Sequence, residues 1–198
     1  EMSRGLGDVY KRQIEDGVLV KYHGTESDVL VVPDNVTTIG LGAFSTAYAR
    51  KIVLGENVKV IESEGFAGSG VHIVEMPYVT TIESEAFRNC GSLEKVEFGN
   101  ELKTIDYNAF ENCENLGGEL TIPESVTKIG DYAFCNTRIE KVTFLCTDIT
   151  YGVSIFSRND SLKEMYIYGG TLPSRQTSAP WSTCLLYTSP SPRDISGS

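Results

Sequence analysis

The phrase Val126-Thr-Lys-Ile-Gly-Asp-Tyr-Ala-Phe134 constrains this chain more than any other feature, because the sequence keeps rewriting it. It returns as Val36-Thr-Thr-Ile-Gly-Leu-Gly-Ala-Phe44, Val79-Thr-Thr-Ile-Glu-Ser-Glu-Ala-Phe87 and Leu102-Lys-Thr-Ile-Asp-Tyr-Asn-Ala-Phe110. A fifth copy, Val58-Lys-Val-Ile-Glu-Ser-Glu-Gly-Phe66, carries Gly65 in place of Ala. The Phe positions are 44, 66, 87, 110, 134 and, less regularly, 156, so the steps are 22, 21, 23, 24 and 22 residues. A fixed period in this range predicts a solenoid, in which each unit buries its apolar face only against its neighbours.

A second pattern, L-x-x-V-x-F, follows each Phe after a polar turn. It reads Leu93-Glu-Lys-Val-Glu-Phe98, Ile139-Glu-Lys-Val-Thr-Phe144 and Leu162-Lys-Glu-Met-Tyr-Ile167, with looser copies at Ala49–Leu54 and Val71–Met76. Its last apolar positions alternate with polar ones, which is strand patterning, and one strand per coil predicts a parallel sheet along one side. Leu116-Gly-Gly-Glu-Leu-Thr-Ile122 carries one extra residue, read as a bulge. The Ile-Gly/Glu/Asp-x-x-Ala-Phe phrase is too short for a proper helix and predicts a tight 3₁₀-like turn with Ala and Phe inward. Pro33, Pro77 and Pro123 sit just before the phrase, where a missing donor does least harm. The expected fold is a mostly β solenoid with short parallel strands and 3₁₀-like turns, in about six repeats of 21–24 residues spanning residues 35–168. Residues 14–34 predict a capping hairpin: Gly17–Tyr22 out, His23–Asp28 as the turn, Val29–Val32 back. Residues 169–183 read as a truncated C-terminal cap or partial repeat.

The two ends read differently. Ser3-Arg-Gly-Leu-Gly-Asp-Val-Tyr-Lys-Arg-Gln13 can be back-translated into DNA whose opposite strand, in a shifted frame, encodes Cys184-Leu-Leu-Tyr-Thr-Ser-Pro-Ser-Pro-Arg193. Two termini written on opposite strands of one DNA segment point to a sequencing-library adapter, so residues 1–13 and 184–198 are set aside from fold reasoning as adapter artefact. The segment between them is expected to be a fragment of a longer protein.

The remaining 170 residues carry 13 Lys+Arg against 24 Asp+Glu. With no basic cluster there is no electrostatic footprint for nucleic acid. No apolar run approaches the ~18 residues of a membrane span. Cys90 and Cys113 each stand three residues after a repeat Phe, and Cys135 one residue after its own; these read as small buried hydrophobes filling one column. No C-x-x-C occurs and neither His23 nor His72 has metal-ligand spacing to a Cys, so no metal or cofactor is expected.

Taken together, Leu120-Thr-Ile-Pro-Glu-Ser-Val-Thr-Lys-Ile-Gly-Asp-Tyr-Ala-Phe134 and Ala86-Phe-Arg-Asn-Cys-Gly-Ser-Leu-Glu-Lys-Val-Glu-Phe98 resemble the BspA-like leucine-rich repeat family over about residues 29–168. The resemblance implies a curved right-handed solenoid, a role in adhesion or protein binding, and a place on the surface of bacteria or of some parasitic protists. It carries no catalytic residues.

Nor does the sequence offer any. No G-x-S-x-G, H-E-x-x-H, EF-hand loop or phosphate-binding glycine loop is present. Glu62/Glu64 and Glu83/Glu85 recur at one repeat position, as a solvated edge would. Asn35-Val-Thr and Asn159-Asp-Ser match the glycosylation pattern at a near-chance frequency. What a solenoid offers is area: six strands ~4.8 Å apart would span about 24 Å of sheet. Its outward columns are Lys51, Ile73, Lys95, Glu119, Lys141, Glu164 and Val53, Glu75, Glu97, Thr121, Thr143, Tyr166. From these, Lys51, Ile73, Glu75, Lys95, Glu97, Glu119, Lys141 and Tyr166 are the candidate ligand-binding residues, for a host or matrix protein. The competing reading is that the Glu/Lys mixture only keeps the sheet soluble through cross-strand pairs. The expected function is a non-enzymatic interaction module of a cell-surface or secreted protein. The alternatives are a cytoplasmic repeat scaffold, favoured slightly by free thiols, and an accessory domain of a larger secreted enzyme.

Overall fold

The computed structural model describes residues 12–22, 24, 27–168 and the backbone of 185–189; no helix occurs among them. A coil is built from one long strand, one two-residue strand and one turn around the repeat Phe. The long strands are β3 (Ser27–Val31), β5 (Ala49–Val53), β7 (Ile73–Met76), β9 (Lys95–Phe98), β11 (Gly117–Ile122), β13 (Arg138–Phe144) and β15 (Glu164–Tyr168). The short ones are β4 (Thr38–Ile39), β6 (Val60–Ile61), β8 (Thr81–Ile82), β10 (Thr104–Ile105), β12 (Lys128–Ile129) and β14 (Thr150–Tyr151). Each pairs in parallel with its counterpart one coil away, Ile39 over Ile61 over Ile82 over Ile105 over Ile129 over Tyr151. The Thr-Ile of the repeated phrase is thus a strand in its own right, part of an eight-stranded ladder that the periodicity did not reveal. Two residues are too few to show alternation.

The repeat Phe rings form the spine of the core. Phe44, Phe66, Phe87, Phe110, Phe134 and Phe156 are all buried, with successive centroids 4.6, 4.6, 4.8, 5.1 and 5.4 Å apart and near-parallel planes. Offset stacks of this kind contribute about 0.5–1.5 kcal/mol per pair beyond burial. Tyr22 heads the column, 5.5 Å from Phe44. The backbone obeys the same register: Phe66 N–H donates to the Ala86 carbonyl at 2.8 Å, Phe87 to Ala109 at 2.7 Å and Phe110 to Ala133 at 2.8 Å.

These turns carry 3₁₀-like i→i+3 bonds, such as Gly65 N–H to Glu62, Ala67 to Glu64 and Ser69 to Phe66. They do not run on as a helix, because left-handed residues interrupt them four apart: Glu64 and Gly68, Glu85 and Asn89, Asn108 and Asn112, Tyr132 and Asn136, Ser154 and Arg158. Asn tolerates this conformation and stacks as well, Asn112 donating to Asn89 at 2.9 Å and Asn136 to Asn112 at 3.0 Å.

The start of the chain differs from the expected hairpin. β1 (Arg12–Glu15) and β2 (Val18–Tyr22) pair antiparallel about Asp16-Gly17, both with positive φ (47° and 81°), a turn type that favours Asp-Gly. β3 does not return along β2; it pairs in parallel with β5, Val29 beside Lys51 and Val31 beside Val53, and opens the long-strand side. The hairpin therefore starts inside the segment set aside as adapter, since Arg12 and Gln13 belong to β1. At the other end β16 (Leu185–Ser189), also within a set-aside segment, pairs in parallel along β15. Residues 169–183, read as a partial cap, lie outside the described residues.

The long-strand side is not one sheet. β3-β5-β7-β9 and β11-β13-β15-β16 are separate four-stranded sheets. The break falls at the extra residue: Gly118 has φ 69° and the register shifts between Gly118 and Glu119. The continuous span of about 24 Å expected from spacing is thereby divided.

Candidate interaction surface

The outward residues of both sheets stand in the predicted columns within each half. Lys51 pairs with Ile73 and Ile73 with Lys95; Val53, Glu75 and Glu97 form the neighbouring row. Beyond the break, Glu119, Lys141 and Glu164 align, as do Thr121, Thr143 and Tyr166. The structure thus brings the eight candidate residues together as two patches, Lys51/Ile73/Glu75/Lys95/Glu97 and Glu119/Lys141/Tyr166. Val29 and Val31, 54% and 57% exposed, extend the first patch by one strand. Sequence reading missed them by assigning Val29–Val32 to the hairpin, although Val32-Pro33 repeats the strand-end pattern of Met76-Pro77 and Ile122-Pro123.

Every lysine among the candidates is engaged by a carboxylate. Lys51 pairs with Glu75 and Lys95 with Glu97, while Lys141 Nζ lies 3.2 Å from Glu119 and 5.2 Å from the centre of the Tyr166 ring. Tyr166 donates its hydroxyl to Glu164 at 3.1 Å. A hydrogen bond from Lys95 holds the Glu97 carboxyl below its ordinary range and raises Lys95 in turn; the hydrogen bond to Glu119 raises Lys141. These pairs are partly or fully exposed to solvent, and surface pairs contribute only about 0–1 kcal/mol to stability. Their effect is to leave a surface patterned in charge yet locally balanced. Gly118, Glu119, Glu140, Lys141, Lys163 and Glu164 enclose a shallow hollow of about 210 Å³.

The edge carboxylates act structurally. Glu62 accepts from the Leu41 N–H at 3.1 Å and Glu83 from the Ser63 N–H at 3.1 Å, each tying its coil to the previous one. The described thiols are all free and buried. Cys90 and Cys113 donate to the carbonyls of Phe66 and Phe87, both at 3.0 Å. Ser69 and Thr137 occupy the same place three residues after their Phe, and both are buried polar side chains that hydrogen-bond there. Asn159 is fully buried, which removes it as a glycan acceptor. Among the described residues no three His, Cys, Asp or Glu side chains gather to hold a metal, and no helix is long and apolar enough to cross a membrane.

A feature the sequence reading did not single out lies at the start of the long strands. Asp28, Tyr48, Arg50, Gly70, His72 and Glu94 line a groove of about 630 Å³, and Ile73 of the first patch lines it too. Its charged members follow the strand register, Arg50, His72 and Glu94 each one residue before Lys51, Ile73 and Lys95.

Parallel coils of 21–24 residues around a stacked Phe column define a leucine-rich repeat solenoid. Within that class the chain belongs to the BspA type leucine-rich repeat family, whose six-copy profile matches residues 21–116 and 80–179. Among solved structures it is similar to the T. pallidum leucine-rich repeat protein TpLRR, with a TM-score of 0.67 and 24% identity over 84% of this chain and 82% of that one. It is also similar to the pneumococcal vaccine antigen PcpA, with a TM-score of 0.51 and 18% identity over 76% of this chain and 57% of PcpA. At these identities the likeness concerns the fold. No curated protein sequence matches significantly.

Proposed function

We propose that this chain is a non-enzymatic protein-interaction and adhesion module of a cell-surface or secreted leucine-rich repeat protein. The observation that carries the reading is the pair of charge-patterned sheet patches on a scaffold of the BspA type. Solenoids use such extended surfaces for binding. Lys51, Ile73, Glu75, Lys95 and Glu97 on one patch, and Glu119, Lys141 and Tyr166 on the other, contact a host or matrix protein. Tyr166 beneath Lys141 is the anchor, because a largely rigid aromatic supplies contact area at low entropic cost.

The test uses immobilised extracellular-matrix protein and surface plasmon resonance. The double variant Lys95→Glu/Lys141→Glu should weaken binding by about tenfold, or ~1.4 kcal/mol, with its melting temperature held near that of the parent. Wild-type protein that does not bind the matrix, or a variant that binds as well as the parent, would overturn the reading.

A further inference from the structure

We propose that the groove at Tyr48 and His72 is a binding site for an uncharged carbohydrate, at the rim of the first protein-binding patch and sharing only Ile73 with its named residues. The argument begins with the ring. Tyr48 is 64% exposed, yet its placement is defined: a Cβ at Gly70 would lie 2.4 Å from its Cδ1 and 2.6 Å from its Cε1. The ring therefore lies against the bare backbone of the next coil, a seat that only glycine leaves open. A Cβ at Gly91, one coil further, would meet nothing within 4 Å, so open space adjoins the seat. An exposed aromatic held against backbone on one side presents its other surface as a platform for apolar C–H groups, with a hydroxyl at its edge.

The polar rim decides the ligand class. Asp28, Arg50, His72 and Glu94 line the groove together with Tyr48 and Gly70. Two carboxylates stand with one guanidinium and one imidazole, so neither a strong anion nor a strong cation is favoured. All four groups are planar and offer hydrogen-bonding atoms in pairs: each carboxylate accepts twice and the guanidinium donates in a fork. Paired atoms of that kind match the adjacent hydroxyls of a sugar ring. The His72 Nδ1 lies 3.1 Å from Glu94 Oε1, a contact that orients the imidazole ring within the rim. An aromatic platform with a rim of paired donors and acceptors suits a molecule with one apolar surface and many neutral hydroxyls. The volume, about 630 Å³, falls within the range of small-molecule sites.

The test is saturation-transfer NMR on the full chain with maltotriose, mannotriose and chitotriose as probes, followed by titration of any that bind. Binding of at least one is expected at a dissociation constant of about 1 mM. Tyr48→Ala should weaken it at least tenfold and His72→Ala severalfold, whereas Tyr48→Phe retains it. Gly70→Ala should also weaken it, by displacing the ring. Because Tyr48 is largely exposed, its variants should keep the parent melting temperature. Absence of transfer to all three sugars overturns the proposal, as does equal transfer in Tyr48→Ala. The Lys95→Glu/Lys141→Glu variant should bind sugar normally, so the two sites stand or fall separately.

Discussion

Cys146 shows how one buried side chain links this fold to pH. It is 1% exposed, and burial pushes its thiol up from 9.0 to about 11. Burial likewise raises Cys113, Cys135 and the Tyr151 hydroxyl. A raised folded value means that the native state prefers the neutral thiol. Its stabilising contribution is complete below the unfolded value near 9 and is lost as pH climbs through the folded value near 11. Melting temperature measured from pH 8 to 11 should therefore fall, and Cys146→Ala should fall less steeply over the same range. Parallel curves for the two proteins would remove Cys146 from the cause. At this scale the sequence was informative about Cys90 and Cys113, whose spacing from Phe predicted burial. It was silent on their donation to Phe66 and Phe87, since a hydrogen bond to another coil has no local signature.

Among elements, the close approach of one coil's backbone to the next imposes a spatial demand just after the short strands. A Cβ added at Gly130 would sit 2.5 Å from the Tyr107 nitrogen and 2.6 Å from the Asp106 carbonyl carbon, both backbone atoms that cannot yield cheaply. Gly91 has no such neighbour. Gly130→Ala should cost about 1–3 kcal/mol by overpacking, read by urea denaturation, while Gly91→Ala should stay within about 0.5 kcal/mol. Equal losses would show that backbone freedom, and not close approach, sets the demand. The hairpin teaches a related lesson. The turn expected at His23–Asp28 lies instead at Asp16-Gly17, a dipeptide that accepts positive φ at both residues. The two-residue strands were illegible for a different reason, being shorter than the period used to find strands.

For the whole molecule, stability is a sum over neighbouring coils, and the last sheet edge is its exposed flank. Leu185–Ser189 covers the edge of β15 through backbone pairing. A segment read as adapter can do this because N–H and C=O groups are the same in every residue. Deleting residues 184–198 should bare that edge and produce concentration-dependent self-association in analytical ultracentrifugation. A strictly monomeric truncated chain would mean that β16 protects nothing.

The sequence by itself determined the coil: its period, the Phe column, the family, and which residues of the long strands from β5 onward face outward. Those follow from local periodicity and burial, which one unit dictates to the next. Only the tertiary structure decided where the long-strand side divides, that β3 joins it, and that Tyr48 rests on Gly70 beside Arg50 and His72. Those depend on contacts between residues about a full coil apart, where the height of a bulge or the absence of one Cβ outweighs any local preference.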